Sequence, residues 1–137
     1  MYRQEKHHIP AFKVNMGGIF LDQALPSATV EHVDPFLLLH HAKTHVPAGG
    51  HPRDFGVGPH PHRGFSPVTF VIKGAVLHQD SRGHYSEVET GGVQWMHSGM
   101  GLIHSERPTQ SFLDNGGEYE IIQLWINSPA SSKFKEP

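Results

Sequence analysis

Cysteine is absent from the 137 residues. That excludes a disulfide framework and thiolate ligation, so a metal held by this chain is held by imidazole and carboxylate groups. No apolar run approaches membrane-spanning length, and the stretch from Met1 to Phe12 has no apolar region of the signal-peptide kind. A soluble, cytoplasmic protein is the expectation. Charge of one sign is also missing: 11 Lys and Arg stand against 13 Asp and Glu, a formal net charge of -2. Direct binding of nucleic acid through a Lys- and Arg-filled groove is therefore not expected. Nor does any basic amphipathic stretch point to a membrane surface. A helical period of useful length is lacking as well, which argues against a bundle.

Turn formers are plentiful instead. With 15 Gly and 11 Pro the chain reads as many short strands joined by turns, and its length suits one domain. Ala11 to Val14 alternates as a first strand, with turns at Gly17-Gly18 and Leu25-Pro26-Ser27. Phe36 to Leu39 reads as a short strand buried on both faces, followed by a long loop from Thr44 to Gly58. Val68 to Lys73 and Ala75 to Asp80 are strands on either side of Gly74, and Ser81-Arg82-Gly83 signals a hairpin. Tyr85 to Glu89 reads as an exposed strand, then Val93 to Met96 and Leu102 to His104. The longest is Glu118 to Ile126, with Tyr119, Ile121, Gln123 and Trp125 on one face. Residues 128–137 look like a linker-like tail. The expectation is one all-β domain over 1–137, a barrel or double-sheet jelly roll.

Histidine is the compositional outlier, 13 residues against 11 Lys and Arg. Two pairs have a spacing that matters: His60 and His62 in PHPHRGF, His104 and Glu106 in GMGLIHSERP. On a strand, residues i and i+2 point to the same face. If the two pairs lie on neighbouring antiparallel strands, three imidazoles and one carboxylate surround a common point. Pro61 is tolerated at the start of a strand, which puts the first pair at a barrel rim. Such a donor set leaves two octahedral positions open. It suits Fe(II) first, while Mn, Ni, Cu and Zn also fit.

The segments FLLLHHAK, HPHRGF, VQWM and SGMGLIHSE resemble the N-terminal cupin domain of the pirin family, over roughly residues 10–130. The resemblance implies a cupin, or double-stranded β-helix, fold and iron bound by His60, His62, His104 and Glu106. It also implies that a second cupin domain of the family pattern is absent from this chain. Two departures stand out. The family stretch HPHRGFET reads HPHRGFSP here, so Ser66 and Pro67 replace an acidic position, and a hydrogen bond that orients the ligands is expected to be lost. The family FLLLDH reads FLLLHH, with His40 in place of Asp; His97 also stands where a small polar residue is usual.

From the resemblance follows a quercetin 2,3-dioxygenase-like activity on flavonols, with Glu106 as general base. The alternative is a non-enzymatic, metal- or redox-dependent regulator acting through a protein partner. A homodimer is expected, since isolated cupins cover exposed sheet edges by pairing. Of the remaining residues, His7, His8, His32, His45, His51, His78 and His84 read as surface or loop histidines. His40 and His97 read as packed or exposed, with a place in the pocket as the alternative. Trp95 and Trp125 read as core anchors and Arg63 as a structural ion-pair partner. Phe65, ahead of Met96 and Met100, is the candidate for an apolar pocket mouth.

Overall fold

Antiparallel pairing accounts for every strand ladder among the described residues. The computed structural model describes residues 4–30 and 32–137. A hairpin of β1 (Phe12–Met16) and β2 (Ile19–Leu25) turns at Gly17-Gly18 and leads to β3 (Phe36–Val46). β4 (Val57–His62) and β5 (Phe65–Lys73) follow, then β6 (Ala75–Asp80), β7 (Tyr85–Glu89), β8 (Val93–Trp95) and β9 (Leu102–Pro108). A short helix α1 (Gln110–Asn115) precedes β10 (Gly117–Asn127). Six strands form one sheet in the order β1-β2-β3-β10-β5-β8, and four form the other, β4-β9-β6-β7. This is the all-β, two-sheet jelly roll that the turn pattern predicts.

Several boundaries differ from the sequence reading. β3 runs eleven residues rather than four, because its alternation continues through His40, Ala42 and Thr44 and pairs along β10. Its apolar start is not buried on both faces: Leu38 is buried, but Phe36 and Leu37 are exposed. The loop after it starts at Pro47 and contains a single helical turn at Pro52–Asp54. Sequence periodicity also misses α1, which is too short to show one. Its Thr109 side chain accepts from the Phe112 N–H at the start, and Gly116 closes it at φ +65°. The tail is not a free linker. Lys133 Nζ donates to the carbonyl of Gly64 at 2.8 Å, and the Met100 N–H donates to that of Lys135 at 2.9 Å.

The apolar core gathers at one end of the sandwich. Val46, Val71, Val76, Leu113 and Tyr119 are buried together, with Phe55, Phe112 and Ile121 packed on them. Leu113, fully excluded from solvent, is the plug that α1 supplies. Trp95 departs from its expected role: on β8, the edge of the larger sheet, it is 64% exposed. Its neighbours Phe70, Ile72 and Val93 are exposed as well.

Candidate metal centre

The second histidine pair lies beside the first because β4 and β9 are hydrogen-bonded neighbours. His60 is in register with His104 and His62 with Leu102. Further along, Val57 is in register with Glu106, so three residues on β4 match two on β9. The extra residue is a bulge at Gly58-Pro59. Gly56, at φ +71°, allows this loop to lie against β9, where a Cβ would strike the carbonyl of Glu106.

Three imidazoles converge. Ring nitrogens of His60, His62 and His104 all lie within 4.8 Å of one another. The ring centroids are 4.5–4.8 Å apart. His62 and His104 are buried and His60 half-buried. Burial first, and then the neighbouring rings, hold His62 down to about 4 and His104 down to about 3. Both rings are thus neutral near pH 7, the form that donates a lone pair to a metal. His60 Nδ1 donates to the carbonyl of Gly58 at 2.8 Å, because a carbonyl can only accept. His60 Nε2 is thereby turned towards the cluster, 3.1 Å from His104 Nε2, close enough for a hydrogen bond between the two rings. Three converging imidazoles are a donor set that fits a divalent transition ion.

Glu106 lines a cavity together with His60 and His62 but stands outside the close group of nitrogens. Its Oε1 accepts from Thr69 Oγ1 at 2.8 Å, and its Oε2 from Gln123 Nε2 at 2.7 Å. The cavity, about 350 Å³, is walled by Phe65, Trp125, Leu38 and His40. Phe65 and Trp125 stack at 4.5 Å, and each meets His62 edge-on at 5.1 Å. Trp125 is therefore a wall of the site rather than a plain core anchor. Glu106, His40 and Gln123 also line a larger, mainly apolar space of about 480 Å³.

The other candidate residues divide clearly. His40 is buried, its Nε2 2.8 Å from Gln23 Oε1. Arg63 lies over the ring of Phe134 at 5.1 Å, and among the described residues it forms no ion pair of the expected kind. Met96 is buried and Met100 exposed, and neither lines the cavity. Ser66 falls on the face of β5 opposite Phe65 and Thr69, with its hydroxyl 3.4 Å from His97 Nδ1. An acid at this position would therefore face His97 rather than the cluster of His60, His62 and His104. His7, His8, His32, His45, His51 and His84 are exposed as expected.

His78, expected at the surface, is 5% exposed. Its Nδ1 lies 3.3 Å from His104 Nδ1, and its Nε2 3.0 Å from Asp80 Oδ2. The signal was present in the alternation of Val76, His78 and Asp80, which puts all three on the inner face of β6.

The Pirin family profile matches residues 18–126. A pirin-like protein of Solanum lycopersicum is 38% identical over 120 residues, covering 88% of this chain and 37% of that protein. The crystal structure of a quercetin 2,3-dioxygenase from Acinetobacter baumannii superposes with a TM-score of 0.81 at 30% identity, over 93% of this chain and 41% of that one. A bacterial pirin from Escherichia coli, in complex with nickel(II), gives 0.65 at 25% identity, over 85% and 48%. The chain spans between 29% and 41% of the length of curated relatives that it matches. Among the described residues no helix is long and apolar enough to cross a membrane. With the match running through nearly all of the two-sheet fold and both histidine-bearing strands, this chain belongs to the Pirin family.

Proposed function

We propose that the chain is the metal-holding unit of a non-haem dioxygenase acting on flavonol-like, quercetin-type substrates. The observation that carries this reading is the convergence of three imidazoles, two of which, His60 and His62, line a cavity together with the Glu106 carboxylate and two stacked aromatic rings. The name of the Acinetobacter baumannii relative supports the substrate class. In this reading His60, His62, His104 and Glu106 hold one divalent transition metal, Fe(II) before Mn, Ni, Cu or Zn. When bound, the ion supplies Lewis acidity and open coordination positions.

The residues of the chain do the rest. His60, His62 and His104 stay neutral and fixed as ligands. Thr69 and Gln123 hold the Glu106 carboxylate at the cavity wall, where it accepts the proton of a flavonol hydroxyl. Phe65 and Trp125 form an apolar wall for a flat ring and keep bulk water from the histidines. Aerobic loss of flavonol absorbance with added Fe(II), Mn(II) or Ni(II) is the test. Turnover with at least one of these is expected, and none with any of them overturns the flavonol assignment.

A second reading, a metal-dependent regulator working through a protein partner, draws support from the exposed Phe70, Ile72, Val93 and Trp95 on the outer face of the larger sheet. Capture of a partner that depends on metal redox state, without flavonol turnover, favours it. Self-association into a homodimer is proposed in either case. Light scattering after size exclusion tests it, and a clean monomer near 15.2 kDa contradicts it.

A further inference from the structure

We infer that the larger cavity is a small-molecule site in its own right, which takes an uncharged aromatic alcohol: ring system on the apolar walls, hydroxyl donating to Glu106. The space measures about 480 Å³ and lies between the two sheets. That falls within the roughly 300–1,000 Å³ of sites that enclose most of a small ligand. The chain itself leaves the room. β3 alternates so that His40, Ala42, Thr44 and Val46 line the space, and the two middle side chains are small. Ala42 stands in register with Ile121 on one side and Leu21 on the other, and both of these line the space too. A methyl group between two larger neighbours makes a hollow. Further along β3 the interior closes again, where Val46 joins the packed group around Leu113. Exposure separates floor from mouth: Leu21, His40, Val46, Glu106 and Tyr119 are buried, whereas Met16, Gly17, Gly18 and Asp54 are exposed at the rim.

The lining selects the chemistry of the ligand. Glu106 Oε1 accepts from Thr69 Oγ1 and Oε2 from Gln123 Nε2, which fills two of the roughly four acceptor positions of a carboxylate. The positions left over can only accept, so the ligand brings a donor. A ligand carboxylate or phosphate is repelled by the same charge, strongly so between apolar walls. An ammonium group would give up its hydration among Leu21, Val46 and Ile121. A hydroxyl supplies the donor without a charge to desolvate. The rings of Phe55 and Tyr119 in the lining favour a flat, rigid body, which loses less freedom on entry than a flexible chain. Glu106, His40, Val57 and Gln123 line the smaller cavity as well, so the two spaces meet at the carboxylate. A molecule seated here has its hydroxyl at the border of the histidine compartment. Binding needs no ion, and in this the inference goes beyond the flavonol assignment.

The test uses the whole chain, stripped of metal with EDTA, and naphthol as the probe in calorimetry. Saturable one-to-one binding is expected. The methyl ether of naphthol keeps the rings but lacks the donor, and it is expected to bind about 10–100-fold more weakly. Naphthoate, an anion of similar size, is expected not to bind. Ala42→Phe fills the hollow and is expected to abolish naphthol binding, with circular dichroism unchanged. Where this variant fails to fold, the smaller Ala42→Leu is expected to weaken binding. NMR on the wild type places the probe independently, through contacts between naphthol ring protons and the methyl groups of Leu21 and Ile121. No saturable binding overturns the inference, as does wild-type affinity in either folded Ala42 variant. Probe contacts elsewhere on the protein overturn it too, and so does equal affinity for naphthol and its methyl ether. Absence of Ni(II) uptake by the wild type, or of flavonol turnover, strikes the metal-centre reading instead and leaves naphthol binding to decide this one.

Discussion

The two ends of the sandwich are built from the same strands by opposite means. β6 contributes Val76 to one end and His78 with Asp80 to the other; β10 contributes Tyr119 and then Gln123 with Trp125. At the Leu113 end, cohesion comes from apolar area and close packing, which tolerate changes in chemistry better than voids. At the histidine end, it comes from buried hydrogen bonds that link Asp80, His78 and Gln94, and Glu106 with Thr69 and Gln123. Removing one partner there leaves a buried polar group unsatisfied. The contrast separates a stability problem from a chemical one within a single pair of sheets.

The comparison can be broken most sharply by deleting one of the clustered imidazoles. His104→Ala or His62→Ala is expected to abolish stoichiometric metal uptake while leaving the Leu113 end folded. Metal analysis and circular dichroism on the same sample check both halves. Next in size, Leu113→Ala empties the solvent-excluded plug and is expected to lower stability by about 2–5 kcal/mol, with metal affinity unchanged in calorimetry. Gly56→Ala joins the two ends: a side chain at φ +71° pressed on the Glu106 carbonyl is expected to reduce stability by about 1–3 kcal/mol and weaken metal uptake together. Thr69→Val removes one donor from Glu106, and a loss of about 1–3 kcal/mol is expected in denaturant titration.

The gentlest probe is pH. Folded His62 and His104 take protons only near 4 and 3, whereas in the unfolded chain they do so near 6.5. Between these limits the unfolded state binds more protons. Stability of the metal-free protein is therefore full above pH 6.5 and is lost as pH falls towards 4. A thermal midpoint that stays flat through that window contradicts neutral, buried rings.

Both pairs, His60 with His62 and His104 with Glu106, were legible in the sequence because spacing of two is a strand property visible without knowing the fold. Even the partnership was foreseeable, since His62 and His104 lie 42 positions apart and the stretch between them holds four strands, β5 to β8. His78 was not foreseen, although its alternation with Val76 was visible. It stands in no paired motif, and its meaning depends on which strand lies beside β6. Trp95 misled for the converse reason: an apolar mid-strand pattern does not reveal that β8 is an edge. Ser66 misled because a substitution next to a motif says nothing about the face on which it falls.

One added residue in β4 has a wider consequence. With Val57 turned inward opposite Glu106, strict alternation would send Pro59 and Pro61 inward and both imidazoles out to water. The insertion at Gly58-Pro59 resets odd and even, so the chemistry of the interior depends on a counting offset as much as on which amino acids are present. Shortening this segment by a single position would leave the HPH string intact to any reader of the sequence and yet turn it inside out.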